Sequence, residues 1–255
     1  MPPKMPPAPA DSIVRKLNER WCYNKACGAS KCRGASLSRC SGCMAVFYCS
    51  SACQRADWAS HKALCKKQAA MRQGLNAPEA RDLSDDFDAW RSAMGAMLYT
   101  WICVGALELS KHPENIQSKF IVLVLRTRTP RPAAVLKLFE FVDIAVFDRA
   151  EHAQRIRGKP AEANFQTMLE VVKEADDLAK RQGMPGAALI LTDIRTSDGA
   201  SGIMRGTPVL LRPSTLKNGD SDWEPYIKRI INEGLNIKEM FRAQEIAGTL
   251  PPPPT

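Results

Sequence analysis

Between Cys22 and Cys65 the chain places eight of its nine cysteines and one of its three histidines. From Cys40 onward the spacing is C-x2-C-x5-C-x3-C-x7-H-x3-C, through Cys40, Cys43, Cys49, Cys53, His61 and Cys65, with Cys22, Cys27 and Cys32 ahead of it. Thiolates and imidazoles spaced in this way are the ligands of tetrahedral zinc, and seven thiolates with one imidazole satisfy two ions. A disulfide scaffold is the competing use of so many cysteines, but it leaves a histidine at ligand spacing unexplained. The opening "MPPKMPPAPADSIVRK" also has no apolar core of signal-peptide length. The expected compartment is therefore reducing: intracellular, in the cytoplasm or the nucleus.

Short elements must hold these ligands. Cys40 and Cys43 flank Ser41 and Gly42, a knuckle in which Gly42 is expected to take a positive φ. Cys49/Cys53 and His61/Cys65 are i, i+4 pairs, so each lies on one face of a helical turn and can grip one ion. Ser50 or Ser51 is expected to cap a first helix, and Asp57 a second one that carries His61 and Cys65.

The run "RCSGCMAVFYCSSACQRADWASHKALC", Arg39 to Cys65, resembles the MYND zinc finger. The likeness lies in the apolar and aromatic Val46, Phe47 and Tyr48, then Cys53, Gln54, Asp57 and Trp58 in C-Q-x-x-D-W, then H-K-x-x-C. It implies interleaved ligation by two zinc ions: a first cysteine pair with Cys49 and Cys53 on one, and Cys40, Cys43, His61 and Cys65 on the other. For the first pair the chain offers Cys22 with Cys27 or Cys27 with Cys32; "CYNKACG" resembles the opening of fungal members and favours Cys22 and Cys27. The resemblance further implies that short proline-containing peptides bind near Ser41, Gln54 and Trp58. Gln54 would hydrogen-bond an extended backbone, and Trp58 would either offer proline a flat face or cover the zinc core.

Composition is that of an ordinary globular chain: 45% hydrophobic and 25% charged residues over 255 positions. The longest apolar stretch, Ala93 to Leu107, has 15 residues. A bilayer span needs about 20, so no membrane partner is expected. The net charge of +9 is concentrated: residues 1–75 carry 13 Lys/Arg against 3 Asp/Glu, and the rest are nearly balanced. Seven ligand thiolates and two zinc ions reduce that N-terminal excess of +10 to about +7. Nucleic acid therefore stays an alternative partner that is not favoured, and no groove-reading helix or aromatic-basic RNA motif supports it.

The chain is expected to divide into a proline-rich tail and short helix (1–19), the finger (20–67), a linker (68–82), a second domain (83–247) and a proline-rich tail (248–255). In the second domain Ser84 and Asp85 are expected to cap a long buried helix, and "KFIVLVLRTRT", "AVLKLFEFVDIAVFD", "GAALILTDIRT" and "GIMRGTPVLLRPS" read as strands. Helices are expected over about 162–182 and from Asp222 to about Ile246. The order specifies an α+β fold with a small, mainly antiparallel sheet. Asp193 and Asp198 read as turn residues, "SDGASGIMRG" lacks a phosphate-loop ending, His112 and His152 read as surface residues, and Cys103 as core.

The expected function is a zinc-binding interaction module that recruits proline-containing peptides or partner proteins. The alternative is an unrecognised enzyme or a zinc-dependent nucleic-acid binder. MYND fingers also occur within SET-domain lysine methyltransferases, but such a domain needs an N-H-x-C motif and sequence on both sides of the finger. Here no Asn-His dipeptide exists and about 20 residues precede the finger. The chain is accordingly expected not to be an enzyme.

Overall fold

A computed structural model describes residues 22–24, 26–27, 37–43, 46–73, 78–216, 223–237 and 239–240. The proline-rich tails, the helix expected before the finger, and Cys32 lie outside the described residues. The chain forms two compact units, Asp11–Pro78 and Glu79–Thr255.

In the first unit β1 (Ser38–Arg39) and β2 (Phe47–Tyr48) form a short antiparallel hairpin, and α1 (Ser51–Gln73) follows at once. Ser50 caps α1: its Oγ accepts from the Cys53 N–H at 3.1 Å. The helix then runs without a break through Asp57, so one helix stands where two were expected. Asp57 is no cap, because its carboxylate is buried under the helix and accepts a 2.8 Å hydrogen bond from Tyr48 Oη. The unit's small core is made of Cys22, Cys40, Cys43, Val46, Tyr48 and Cys65, which leaves few apolar side chains to hold it.

The second unit begins with α2 (Pro78–Met94) and α3 (Ala96–Ala106). Ser84 and Asp85 fall inside α2, and the expected single helix is broken at Gly95, whose φ of 83° a helix cannot accommodate. A short α4 (Asn115–Ser118) leads into β3 (Lys119–Thr127), β4 (Phe139–Asp148), α5 (Arg149–Ile156), α6 (Ala161–Arg181), β5 (Gly186–Arg195), β6 (Gly202–Leu211), α7 (Pro213–Leu216) and α8 (Trp223–Glu233). Asp148 caps α5 by accepting from Ala150 and Glu151 N–H at 2.8 and 3.0 Å. Gly234, with φ of 64°, interrupts the expected closing helix after Glu233; helix returns at Ile237, and the part of the expectation beyond residue 240 lies outside the described residues.

The four strands lie in the order β4-β3-β5-β6; β3/β4 and β5/β6 are antiparallel and β3/β5 parallel. The fold is α+β with a mainly antiparallel sheet. Both faces are covered, as two adjacent β6 residues show: Arg205 reaches Asp88 of α2, while a Cβ on Gly206 would meet Met168 of α6. One face packs Phe87, Trp90 and Phe139 with ring centroids 5.6 to 6.2 Å apart. On the other, Phe120, Phe147 and Phe165 surround His152, which is thus a packed helix residue and not the surface residue expected.

The sheet edges are guarded. On β4 the Phe141 N–H donates to Asn232 Oδ1, the Ile144 N–H donates to Asp143 Oδ1, and the register slips beside them. On β6, Pro208 has no N–H to offer. Among the described residues no helix is long and apolar enough to cross a membrane.

Candidate metal centre

The hairpin and α1 bring the ligands together in two groups. Cys22, Cys27, Cys49 and Cys53 form one, and Cys40, Cys43, His61 and Cys65 the other; within each, the donor atoms lie within 4.8 Å of one another. Two such Cys/His clusters can each hold a metal ion.

Local structure explains how each ligand arrives. Asn24 folds the segment between Cys22 and Cys27: its Oδ1 accepts from the Ala26 N–H and its carbonyl from the Cys27 N–H, both at 3.0 Å. This turn lets a pair separated by four residues converge as a two-residue knuckle would. The Tyr23 N–H donates to Phe47 O at 2.8 Å, which ties the segment to the hairpin that delivers Cys49. Cys40 is fixed by its N–H to Val46 O at 2.9 Å, and Cys43 sits at the end of the hairpin turn. Gly42 does not take the positive φ expected of it. A Cβ there would stand 2.9 Å from Cys65 Sγ, so the glycine is needed for close approach to the ligand cluster.

The donor spacing fits tetrahedral zinc. Zn–S bonds of about 2.3 Å at tetrahedral angles separate two sulfurs by about 3.8 Å, and one sulfur from a zinc-bound nitrogen by about 3.6 Å. The structure has Cys27 Sγ and Cys49 Sγ 3.7 Å apart, Cys40 Sγ and Cys65 Sγ 3.7 Å, Cys49 Sγ and Cys53 Sγ 3.4 Å, and Cys43 Sγ and His61 Nε2 3.5 Å. The protonation chemistry agrees. Burial pushes the Cys22 and Cys65 thiols up to about 12, a shift that a bound cation would oppose. Burial acts the same way on Cys40, but the N–H groups of Cys43 and Gly42 outweigh it and hold that thiol below its usual value.

Behind the ligands sits an aromatic shell. His61 is buried and meets Tyr23, Tyr48 and Trp58 edge-on at 5.6, 6.1 and 6.3 Å. Burial, with the Asp57 carboxylate beside it, pushes the Tyr48 phenol far up and keeps it a donor to Asp57. Trp58 packs against the histidine in a T-shaped pair yet stays 40% exposed, so it both covers the cluster and leaves apolar surface open. Ser41 is exposed in the hairpin turn. Gln54, one turn before Trp58 on α1, is half-buried, and its Nε2 points at Cys40 Sγ at 3.5 Å.

Sequence reasoning used Asn24 only as part of the resemblance carried by "CYNKACG"; it missed the turn that Asn24 makes and the Tyr48–Asp57 pair. In the second unit no metal-ligand cluster occurs among the described residues. Asp193 is paired with Arg195, Asp198 accepts from Thr196 and the Ala200 N–H in a turn, His112 is exposed beside Glu114, and Cys103 is buried with its thiol pushed up by burial alone.

Residues 22–65 match the family model of the MYND finger. Over 71 residues the chain is 37% identical to chicken N-lysine methyltransferase SMYD2, which covers 28% of this chain and 16% of that one. Over 73 residues it is 49% identical to mouse Tudor domain-containing protein 1, covering 29% of this chain and 5% of the relative. Over 57 residues it is 56% identical to SET domain-containing protein 14 of Caenorhabditis elegans, covering 22% and 12%. The chain thus spans a small part of the relatives it matches. No solved structure matches it.

These relatives correct the expectation that the chain is not an enzyme, because two of those named are a methyltransferase and a SET domain-containing protein. That expectation rested on the missing N-H-x-C motif and the short segment ahead of the finger. Both bear on a SET domain and neither on the finger, the region over which these relatives match.

Proposed function

We propose that the MYND finger holds two zinc ions, one on Cys22, Cys27, Cys49 and Cys53 and the other on Cys40, Cys43, His61 and Cys65. We propose too that it recruits short proline-containing segments of partner proteins. Each ion would take four protein ligands, so zinc here supplies a cross-link between segments that have too little core to fold by themselves. The recruiting surface is Ser41, Gln54 and Trp58.

The observation that carries the recruitment reading is Trp58: among the described residues of the finger it is the large hydrophobic left exposed. It packs against His61 in a T-shaped pair, ring centroids 6.3 Å apart, which restrains the indole on the side away from solvent. A restrained, exposed indole suits a proline ring on a preformed extended peptide, which loses little entropy on binding. Weak affinity is expected from so small a contact. Titration of the zinc-loaded chain with a proline-containing peptide should shift the amide signals around Ser41, Gln54 and Trp58, and Trp58→Ala should remove that response while zinc content stays at two. Peptide binding that persists in Trp58→Ala would place recruitment elsewhere.

A second reading, catalysis by the larger unit, is favoured by the methyltransferase and SET domain names of the relatives. The matched segment is the finger alone, so this reading rests on what accompanies the finger in other proteins.

A further inference from the structure

We infer that Gln54 is an outer-shell partner of the Cys40/Cys43/His61/Cys65 metal site, its side-chain amide donating to the Cys40 thiolate and so coupling that ion to the surface beside Trp58. This rests on the reading that the cluster binds a metal.

The geometry is direct. Gln54 Nε2 stands 3.5 Å from Cys40 Sγ, a normal separation for a hydrogen bond to sulfur. A ligated thiolate can only accept, so the amide must turn its nitrogen inward. Oε1 is then the acceptor left for an incoming peptide N–H. Three further features fix the amide. Gln54 lies in the first turn of α1, which Ser50 caps from both its side chain and its carbonyl, the latter accepting from the Gln54 N–H at 3.1 Å. Gln54, Trp58, His61 and Cys65 follow one another at helical spacing, so the amide shares a stripe with the indole and with two ligands of the same ion. The cluster is also closely enclosed: Cys40, Cys43, His61 and Cys65 are all buried, and water has little access to replace the amide as a donor.

A hydrogen bond to a metal thiolate draws charge from the sulfur and orients it, and loss of such an outer-shell partner typically lowers metal affinity 10- to 100-fold. The effect should fall on one ion of the two. The Cys22/Cys27/Cys49/Cys53 cluster has Cys53 on the same helical turn, but no contact between its sulfurs and Gln54 joins it to this amide among the described hydrogen bonds.

The test uses the full chain loaded with cadmium-113 in place of zinc. One cadmium should show scalar coupling to the Gln54 side-chain amide proton through the N–H···S bond, and the other should not. Gln54→Leu should then weaken the affinity for one zinc ion about tenfold, shift the thiolate charge-transfer band of the cobalt(II) form at that site, and leave the second ion unchanged. Two bound ions with no coupling to Gln54, or a Gln54→Leu chain that holds both ions as tightly as the original, would overturn the inference and leave the metal reading intact. A chain that takes up no ion at the Cys40 cluster would overturn both. The coupling is measured on the unaltered chain, so the outcome does not depend on whether the variant folds.

Discussion

Replacing Tyr48 by phenylalanine removes one oxygen atom and isolates one buried carboxylate. Tyr48 is 2% and Asp57 4% exposed, and the phenol donates to Asp57 Oδ2 at 2.8 Å. Hydrogen bonds to charged groups contribute about 1.5–3 kcal/mol, and a buried charge left unpaired costs at least as much. About 2 kcal/mol is therefore expected from Tyr48→Phe. If zinc supplies the folding energy that so small an apolar core lacks, as proposed, this loss appears as apparent metal affinity: about thirtyfold weaker, at tenfold per 1.4 kcal/mol. Because Tyr48 precedes Cys49, and Asp57 lies between Cys53 and His61, both ions should feel it. Competition with a chromophoric chelator on the full chain measures the loss. Tyr48→Phe combined with Asp57→Ala, which removes the acceptor as well as the charge, should cost less than the two changes added, since either one already breaks the pair. Affinities within twofold of the original, or strict additivity in the double variant, would refute the account of this bond.

Gly42→Ala should weaken the Cys40 cluster selectively, on the order of tenfold, because the new Cβ would stand 2.9 Å from a Cys65 sulfur whose position a bound ion fixes; stepwise zinc release against the second site reads this out. In the second unit, burial would raise Asp176, but hydrogen bonds from Lys180, the Ala187 N–H and Gln117 prevail and hold it below the usual carboxylate range. A depressed acid contributes stability that is complete above its unfolded value near 4 and is lost as pH falls through the folded one. Thermal unfolding followed from pH 5 downward should therefore fall more steeply in the original chain than in Asp176→Asn, and equal slopes would contradict the assignment.

The finger was legible because metal chemistry writes itself into residue types and intervals. Cys40 through Cys65 could be paired from spacing and family resemblance alone, and the structure gathers those residues in the two groups that the resemblance implied. What escaped depends on distance rather than interval. Asp57 looks like a cap because it precedes His61 by one turn, yet Tyr48 takes it across the hairpin. Gly42 looks like a turn glycine, yet it is small because of a sulfur that comes from the far end of a helix. In the larger unit the strands stood out by their apolar runs, and the α+β order followed. The short α5 was missed because its sequence is polar and its start is marked only by the Asp148 cap. The parallel β3/β5 pairing that joins the two antiparallel pairs was missed because nothing local in a strand names its neighbour.

The account turns on two separate four-ligand ions, and metal analysis of the purified chain and two variants tests that most directly. It predicts two zinc ions per chain, a drop to one for Cys22→Ser, and no change for Cys32→Ser. One zinc in the original chain, or a loss in Cys32→Ser with none in Cys22→Ser, would contradict it.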